Sequence, residues 1–495
     1  MGEAEKAGST KAEQTIEKGS LLDEIVTEGR MGTDTVTRER GKDLVKAFLG
    51  QVLEHEVTVG RDTLTTIDGM VNQIDHLVSI QLNEILHNES FQKLEASWRG
   101  LKYLLDQSET GTMLKVRVLN VSKKELLRDL QRAAEFDQSA LFKKVYEQEF
   151  GTFGGEPYAA LIGDYEFSNH PEDVELLEKI SQVAAGAHAP FLSAASPKLM
   201  GLDSYTSLDQ PRDVAKIFDT SEYAKWKSFR QSEDSKYVGL TAPRILMRLP
   251  YGAETKPVEG FNYEEGVDGT DHSKYLWGNG AYALGARLTN AFAQYGWCAA
   301  IRGVEGGGLV EGLPAHTFRT DEGDVALKCP TEISITDRRE KELADAGLIP
   351  LVHQKGRDNA AFFSVQSCNK PKVYDSAAAT ANARLSAQLP YMMAVCRFAH
   401  YLKSIMRDKI GSFMSRQECE AFLNKWIKQY VVLDDMASQS TKAKFPLREA
   451  KVDVEEIPGK PGAYRAIAFL RPHFQLDELT VSLRLVAELP KSAKG

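Results

Sequence analysis

Apolar residues recur at intervals of three and four over two long stretches in the first quarter of the chain. Ile67, Met70, Val71, Ile74, Leu77, Val78, Leu82 and Ile85 share one stripe, and Phe91, Leu94, Trp98, Leu101 and Leu105 share a second. Residues 63–106 thus predict two amphipathic helices joined as an antiparallel hairpin. "MLKVRVLNV" then alternates as a strand does, and "SKKELLRDLQRA" predicts a helix behind Ser122, with Glu125 completing a capping box. From about residue 150 the two periods mix. "YAALIGDYEF" reads as a buried strand, "EDVELLEKISQVAAGAHAPFLSA" as a helix entering a strand, and "APRILMRLPYG" and "WCAAIRGV" as two more strands. "PTEISITDRREKELADAGLIPLV" predicts a strand, a helix from near Asp337 with Glu340 in capping-box register, and a strand. "LPYMMAVCRFAHYLKSIMRDKIGSF" and "QECEAFLNKWIKQYVVL" predict two long helices. At the end, "REAKVDVEEI", "PGKPG" and "YRAIAFLRP" give a hairpin signal, and "LDELTVSLRLVAEL" a third alternating strand. The class is α+β, with a mixed α/β core.

The two ends differ from this core. Residues 1 to about 19 are small and polar, a composition expected to stay disordered. "SLLDEIVTEGRM" follows, with Leu21, Leu22, Ile25 and Val26 on one helical face behind Ser20. A helix this short is marginal alone in water, so it needs a surface to dock on. The terminal strands pose the complementary problem, since a free strand edge is a liability until it is paired.

Composition narrows the chemistry. The 495 residues are 42% hydrophobic and 26% charged, as in a folded protein of about two to four domains. A net charge of −9 lacks the global basic footprint of a nucleic-acid binder. The five cysteines are scattered, with no C-x-x-C, which fits a reducing cytoplasm. The N-terminus has no apolar core of a secretory leader, and no run of about 18 apolar residues predicts a membrane span.

One stretch satisfies a cofactor pattern. Gly278-Asn279-Gly280-Ala281-Tyr282-Ala283 reads G-x-G-x-x-A, the dinucleotide-binding turn, with Glu305 at nearly the distance of a ribose-binding acid. A functional turn must follow a strand, and "DGTDHSKYLW" is polar and turn-rich. The small residues therefore predict a slim helix start for close packing. A soluble α/β nicotinamide- or flavin-dependent oxidoreductase using Gly278 to Ala283 is the alternative. Other catalytic signals are poor. There is no P-loop, no H-E-x-x-H and no G-x-S-x-G, and Asp164 and Glu166 lack a metal-spaced partner. His188 and His400 lie in apolar helical stretches that suit satisfied core histidines, and the charged run from Asp337 to Glu342 suits a solvated helix face or a partner contact.

Several blocks, in order, resemble a known family. "LLDEI", "EILHNESFQKLEASWRGLKYLL", "FGGEPYAALIGDYEF", "AHAPFLSAASPKLMGLDS", "WKSFRQSEDSKYVGLTAPRILMRLPYG", "YLWGNGAYALGARL", "NAAFFSVQS", "QLPYMMAVCRFAHYLK" and "LRPHF" are similar to the large sheath subunit of bacterial type VI secretion systems, the TssC/VipB/EvpB family. The likeness covers nearly everything from about residue 20, apart from the loop around "YGAETKPVEGFNYEEGVDG". It implies a tail-sheath-like structural protein with no enzymatic activity, cofactor or metal. Implied partners are a small sheath subunit (TssB/VipA-like), further copies in a helical sheath, the inner tube hexamer protein, the baseplate, and an AAA+ unfoldase engaged mainly through the small subunit. Nucleic acid and membrane insertion are not implied, and the location is the bacterial cytoplasm within a membrane-anchored apparatus. The domains implied are an N-terminal arm (1–60), a sheath core (61–370) and a C-terminal sheath domain (371–495), with terminal strands used in an intersubunit sheet. Carried over by position, the interface residues are Leu21, Leu22 and Ile25 in the arm, and Val452, Val454, Ile467, Phe469, Val481, Leu483 and Leu485 in the terminal strands.

Overall fold

The computed structural model describes residues 35–53, 63–211, 213–319, 323, 325–412, 414–458 and 463–475. The expected arm residues Leu21, Leu22 and Ile25 and the last-strand residues Val481, Leu483 and Leu485 lie outside the described residues. The chain divides into two compact units, one running to Ile85 and including Tyr251–Glu265, the other holding Leu86–Pro250 and the chain from Gly266.

The first unit is built on helices α1 (Thr35–Leu53) and α2 (Thr63–Leu86). The strap 251–265 is tied to α2 by polar bonds. The Tyr263 hydroxyl donates to Asn83 Oδ1 at 2.7 Å, and the Asn262 N–H donates to Asp75 Oδ2 at 3.2 Å. Met70 and Ser79 are buried, yet most of the apolar stripe of α2 stays exposed.

The second unit opens with α3 (Glu89–Asp106), whose first turn is capped by Asn88 accepting from the Ser90 N–H. Its buried face is not the large apolar stripe. Ala96, Gly100 and Leu104 are buried, while Phe91, Leu94, Trp98 and Leu105 are exposed. The helix uses its slim side because it lies close to Tyr282, whose ring occupies the space a side chain on Gly100 would need. Residues 113–121 do not form a strand, although their alternation predicts one. Alternation describes a pleat, whereas a strand also needs a neighbour for its main-chain bonds. Side chains hold the segment instead: Lys115 and Arg117 pair with Glu156, Arg117 also pairs with Glu149, and the Tyr165 hydroxyl donates to the Val121 carbonyl at 2.7 Å.

Helix α4 (Lys123–Arg132) starts at the expected capping box of Ser122 and Glu125. A six-stranded sheet follows, made of β1 (Leu161–Phe167), β2 (Phe191–Ala195), β3 (Val238–Ala242), β4 (Leu309–Val310), β5 (Ile349–His353) and β6 (Ala360–Phe362). The spatial order is β1-β2-β3-β5-β6-β4, with the first four parallel and the last two added antiparallel. β2 and β3 are buried along their whole length, as expected for parallel strands covered on both faces. Phe191 and Ala195 join a core with Leu177 and Ile180 of α5 (Pro171–Ala187). Leu192 points into the other core, with Ala283, Leu284 and Leu288 of α6 (Ala281–Tyr295). The segment Trp297–Val304, expected as a strand, is irregular, and Gly303 turns the chain at φ 73°. Helix α7 (Asp337–Asp345) begins one residue earlier in its capping register than expected. Thr336 is the N-cap and accepts from the Arg339 N–H, so Glu340 falls outside the box.

The C-terminal part forms a third core. Helices α8 (Leu389–Asp408) and α9 (Arg416–Ile427) pack with strands β7 (Leu447–Glu456) and β8 (Tyr464–Pro472). The Trp297 and Phe398 rings stack at 4.2 Å, with Trp426 and Tyr430 edge-on around them. Burying each large side chain of this kind contributes roughly 1.5–3 kcal/mol.

Candidate assembly interface

Among the described strands β7 and β8 pair with each other, from Leu447 opposite Pro472 to Glu456 opposite Tyr464, and a single bridge joins Val431 to Leu447 at the start of β7. Alternation puts Ala450, Val452 and Val454 on one face, together with Ala466 and Leu470 of β8, against Leu423 and Ile427 of α9. Val452 and Val454 are fully buried there. Expected at an intersubunit contact, these two valines belong instead to the core of their own chain, because α9 covers that face. Ile467 and Phe469 point the other way and are 45% and 58% exposed. They sit between two cross-strand ion pairs, Arg465–Glu455 at 2.9 Å and Arg471–Glu449 at 3.7 Å.

The two edges of this hairpin differ. On β7, Asn424 Nδ2 donates to the Val452 carbonyl at 2.6 Å, and the Val452 N–H donates to Asn424 Oδ1 at 3.0 Å. Two residues on, Arg416 Nη1 donates to the Val454 carbonyl at 3.0 Å, and the Val454 N–H donates to Glu420 Oε2 at 3.2 Å. Side chains of α9 thus stand where a neighbouring strand would be, and the β7 edge is closed. Since these groups point away from β8, Val452–Ala468 and Val454–Ala466 are non-hydrogen-bonded pairs. The N–H and C=O groups of Ala466 and Ala468 must then point to the opposite edge. Among the described residues nothing bonds them, and the edge is bordered by Ile467 and Phe469. Sequence reasoning found the two exposed apolar residues but missed Asn424. An asparagine on a helix carries no local mark of the strand it will meet.

The cofactor-like turn is occupied by the chain itself. Trp277–Gly278 is a two-residue strand, a feature the sequence does not announce, but it pairs antiparallel with Ile245–Leu246 outside the parallel sheet. Asn279 Oδ1 accepts the Ala281 N–H at 2.8 Å, and Asn279 Nδ2 donates to the Gly163 and Tyr165 carbonyls at 3.3 and 3.1 Å. A side chain at Gly280 would lie 3.1 Å from both the Pro243 carbonyl and Thr241 Oγ1. The first N–H groups of α6, those of Ala281 and Tyr282, thus already donate to Asn279, and the chain packs closely against Gly280.

The remaining candidate groups also have structural partners. Burial raises the pKa of Asp164, opposed by hydrogen bonds from Ser97, Tyr282 and Asn279. Glu166 holds Arg244 by two bonds of 2.5 and 2.7 Å. His400 Nε2 bonds the Ala187 carbonyl at the end of α5 at 2.9 Å, and burial pushes its pKa down to about 4. His188 caps the same helix end with φ 52°. In the charged run, Arg338 and Arg339 both pair with Glu342, at 2.8 and 2.6 Å, and Arg339 also donates to the Pro211 carbonyl at 2.5 Å. Among the described residues no cluster of three or more His, Cys, Asp or Glu could hold a metal, and no helix is long and apolar enough to cross a membrane.

Family models match the chain in two consecutive parts. Residues 68–369 match the EvpB/VC_A0108 tail sheath N-terminal domain, and residues 378–489 match the EvpB/VC_A0108 tail sheath gpW/gp25-like domain. The type VI secretion system sheath protein TssC1 of Pseudomonas aeruginosa is 52% identical over 491 residues, covering 99% of this chain and 98% of that protein. Among solved structures, a chain of the anti-feeding prophage baseplate aligns with 9% identity and TM-score 0.37, covering 76% of this chain and 83% of that one. A chain of the contracted anti-feeding prophage sheath aligns with 10% identity and TM-score 0.30, covering 62% and 66%. Matched by both family models and by a relative along its full length, the chain belongs to the VipB/EvpB family and is a structural subunit of a type VI secretion contractile sheath.

Proposed function

We propose that this chain is the large member of a sheath heterodimer and that neighbouring protomers are linked by strand addition at the open edge of β8. The observation that carries this reading is the asymmetry of the hairpin. One edge is sealed by Asn424, Arg416 and Glu420, and the other presents Ala466 and Ala468 beside Ile467 and Phe469. Main-chain bonds supply affinity in strand addition, while exposed side chains select the partner. The donor segments are the terminal ones, with Val481, Leu483 and Leu485 in the last strand and Leu21, Leu22 and Ile25 in the arm.

In this reading residues 1–60 act as the arm, 61–370 as the sheath core and 371–495 as the C-terminal sheath domain. The chain pairs with a small sheath subunit, polymerises with its own copies in the cytoplasm around an inner tube of hexameric rings, starts from a baseplate, and is dismantled by an AAA+ unfoldase acting mainly through the small subunit. Contraction propels the inner tube and its effectors out of the cell. Strand links suit such a device because they keep protomers joined while the rigid bodies repack between two states.

The test uses Ala468→Pro, which deletes one outward N–H and spares the bonds to β7. Co-expressed with the small subunit, the variant should give heterodimers without tubes. Tubes of ordinary length from this variant would sink the strand-addition reading.

A further inference from the structure

Burial raises the pKa of four of the five cysteines, to about 11 for Cys298, to about 12 for Cys368 and Cys396, and above the ordinary value for Cys419. Each of these stays a thiol near neutral pH. Cys329 differs in its partners. It is half-buried, its Sγ lies 3.0 Å from Thr331 Oγ1, and it bonds the His353 ring.

The main chain builds this arrangement. β5 ends at His353, and the turn into β6 folds back so that the Gln354 N–H donates to the Asn359 carbonyl at 2.9 Å. The Arg357 carbonyl in that turn lies 2.6 Å from His353 Nε2. A carbonyl cannot donate, so Nε2 carries a hydrogen, and Nδ1 is the nitrogen left to take a proton from sulfur. Cys329 is fixed from both sides. The Lys328 N–H donates to the His316 carbonyl at 2.7 Å, and the Pro330 carbonyl accepts from the Leu246 N–H at 2.8 Å. Nucleophile, base and the group that orients the base thus stand in series.

The electrostatics agree with this geometry. Burial acts against the Cys329 thiolate, but the bonds to His353 and Thr331 outweigh it and lower the pKa. The bond to Cys329 raises the pKa of His353 against its own burial. Lys328 adds a cation next in the chain, itself faced by Asp268 and Asp271.

We infer that Cys329 is a modification site at which a hydroperoxide oxidises the thiol, with His353 as the base. His353 takes the thiol proton, and the sulfur attacks the hydrogen-bearing oxygen of the peroxide. An S–O bond forms and the O–O bond breaks; the leaving oxygen keeps the electron pair and takes the proton from His353. Sulfur is oxidised by two electrons to a sulfenic acid, and the peroxide is reduced to water or an alcohol. A small thiol then condenses with the sulfenic acid, releasing water and leaving a mixed disulfide that thiol exchange can reverse. None of this depends on strand addition at β8.

The test labels the full-length chain with iodoacetamide from about pH 5 to about pH 10 and follows each cysteine by peptide mass spectrometry. At neutral pH Cys329 should react at least roughly tenfold faster than Cys419, which is also half-buried, and its midpoint should lie below the ordinary thiol value of about 8.5. Hydrogen peroxide followed by dimedone should place an adduct on Cys329 and leave Cys368 and Cys396 unmodified. His353→Gln should slow alkylation of Cys329 at neutral pH by about tenfold and raise its midpoint, with Cys419 unchanged. The proposal is overturned if Cys329 reacts no faster than Cys419, if dimedone finds no sulfenic acid there, or if His353→Gln leaves the midpoint unmoved, which would reduce Cys329 to an accessible thiol. The first two readouts use the parent chain and decide the matter should His353→Gln fail to fold.

Discussion

Two asparagines, Asn279 and Asn424, each use both halves of the amide to bond main chain. The energetic weight of such a residue lies in what its loss leaves unpaired. Asn424→Leu leaves the Val452 N–H and C=O without partners, which should cost about 1–3 kcal/mol in urea unfolding. A loss within error would show that water replaces the amide and that the β7 edge is less closed than described. His400 gives a second residue-scale prediction. Its ring is buried and neutral, with a pKa near 4 in the folded chain against about 6.5 when unfolded. The unfolded chain thus takes up a proton that the folded one does not as pH falls from about 6.5 to about 4. Stability should fall across that window, by as much as about 3 kcal/mol, and this contribution should be flat below it. His400→Gln keeps a donor for the Ala187 carbonyl and should flatten the slope in melts run from neutral to acid pH. Burial also lowers the pKa of His188, which would leave a smaller slope of the same sign. An unchanged slope in His400→Gln would remove His400 from the account.

At the scale of elements, period and capping made most helices legible. The box at Ser122 and Glu125 starts α4, and the paired apolar and polar runs at the C-terminus form β7 and β8. The expected strands at 113–121 and 297–304 failed for a shared reason: alternation or apolar content cannot supply a neighbour. The stripe of α3 failed differently. Phe91, Leu94 and Trp98 have helical spacing, but Ala96 and Gly100 permit a closer approach to Tyr282, so the slim face went inward. The same limit governs the candidate site. Val452 and Ile467 are both apolar positions of alternating strands, and only the placement of α9 decides that one is core and the other surface. Hydrogen exchange tests the open edge at this scale. In the free chain the Ala466 and Ala468 amides should exchange much faster than those of Lys451, Asp453, Ile467 and Phe469, which face across the hairpin. Assembly should protect the two alanines. Fast exchange at both in assembled material would place the intersubunit contact elsewhere.

For the molecule as a whole, the exposed apolar surface is the main physical fact. Ile67 to Ile85 on α2, Phe91 to Leu105 on α3, and Ile467 with Phe469 on β8 are faces an isolated protein would be expected to cover. The Gly278–Ala283 turn that suggested a nucleotide enzyme is bonded by the chain itself, and the family to which the chain belongs is structural. Such surfaces are economical in a subunit that exists mainly within an assembly. The most direct measurement is negative-stain electron microscopy of the full-length chain co-expressed with the small sheath subunit proposed as its partner. Long hollow tubes are the predicted result; discrete small particles, with both chains present and folded, would contradict the account.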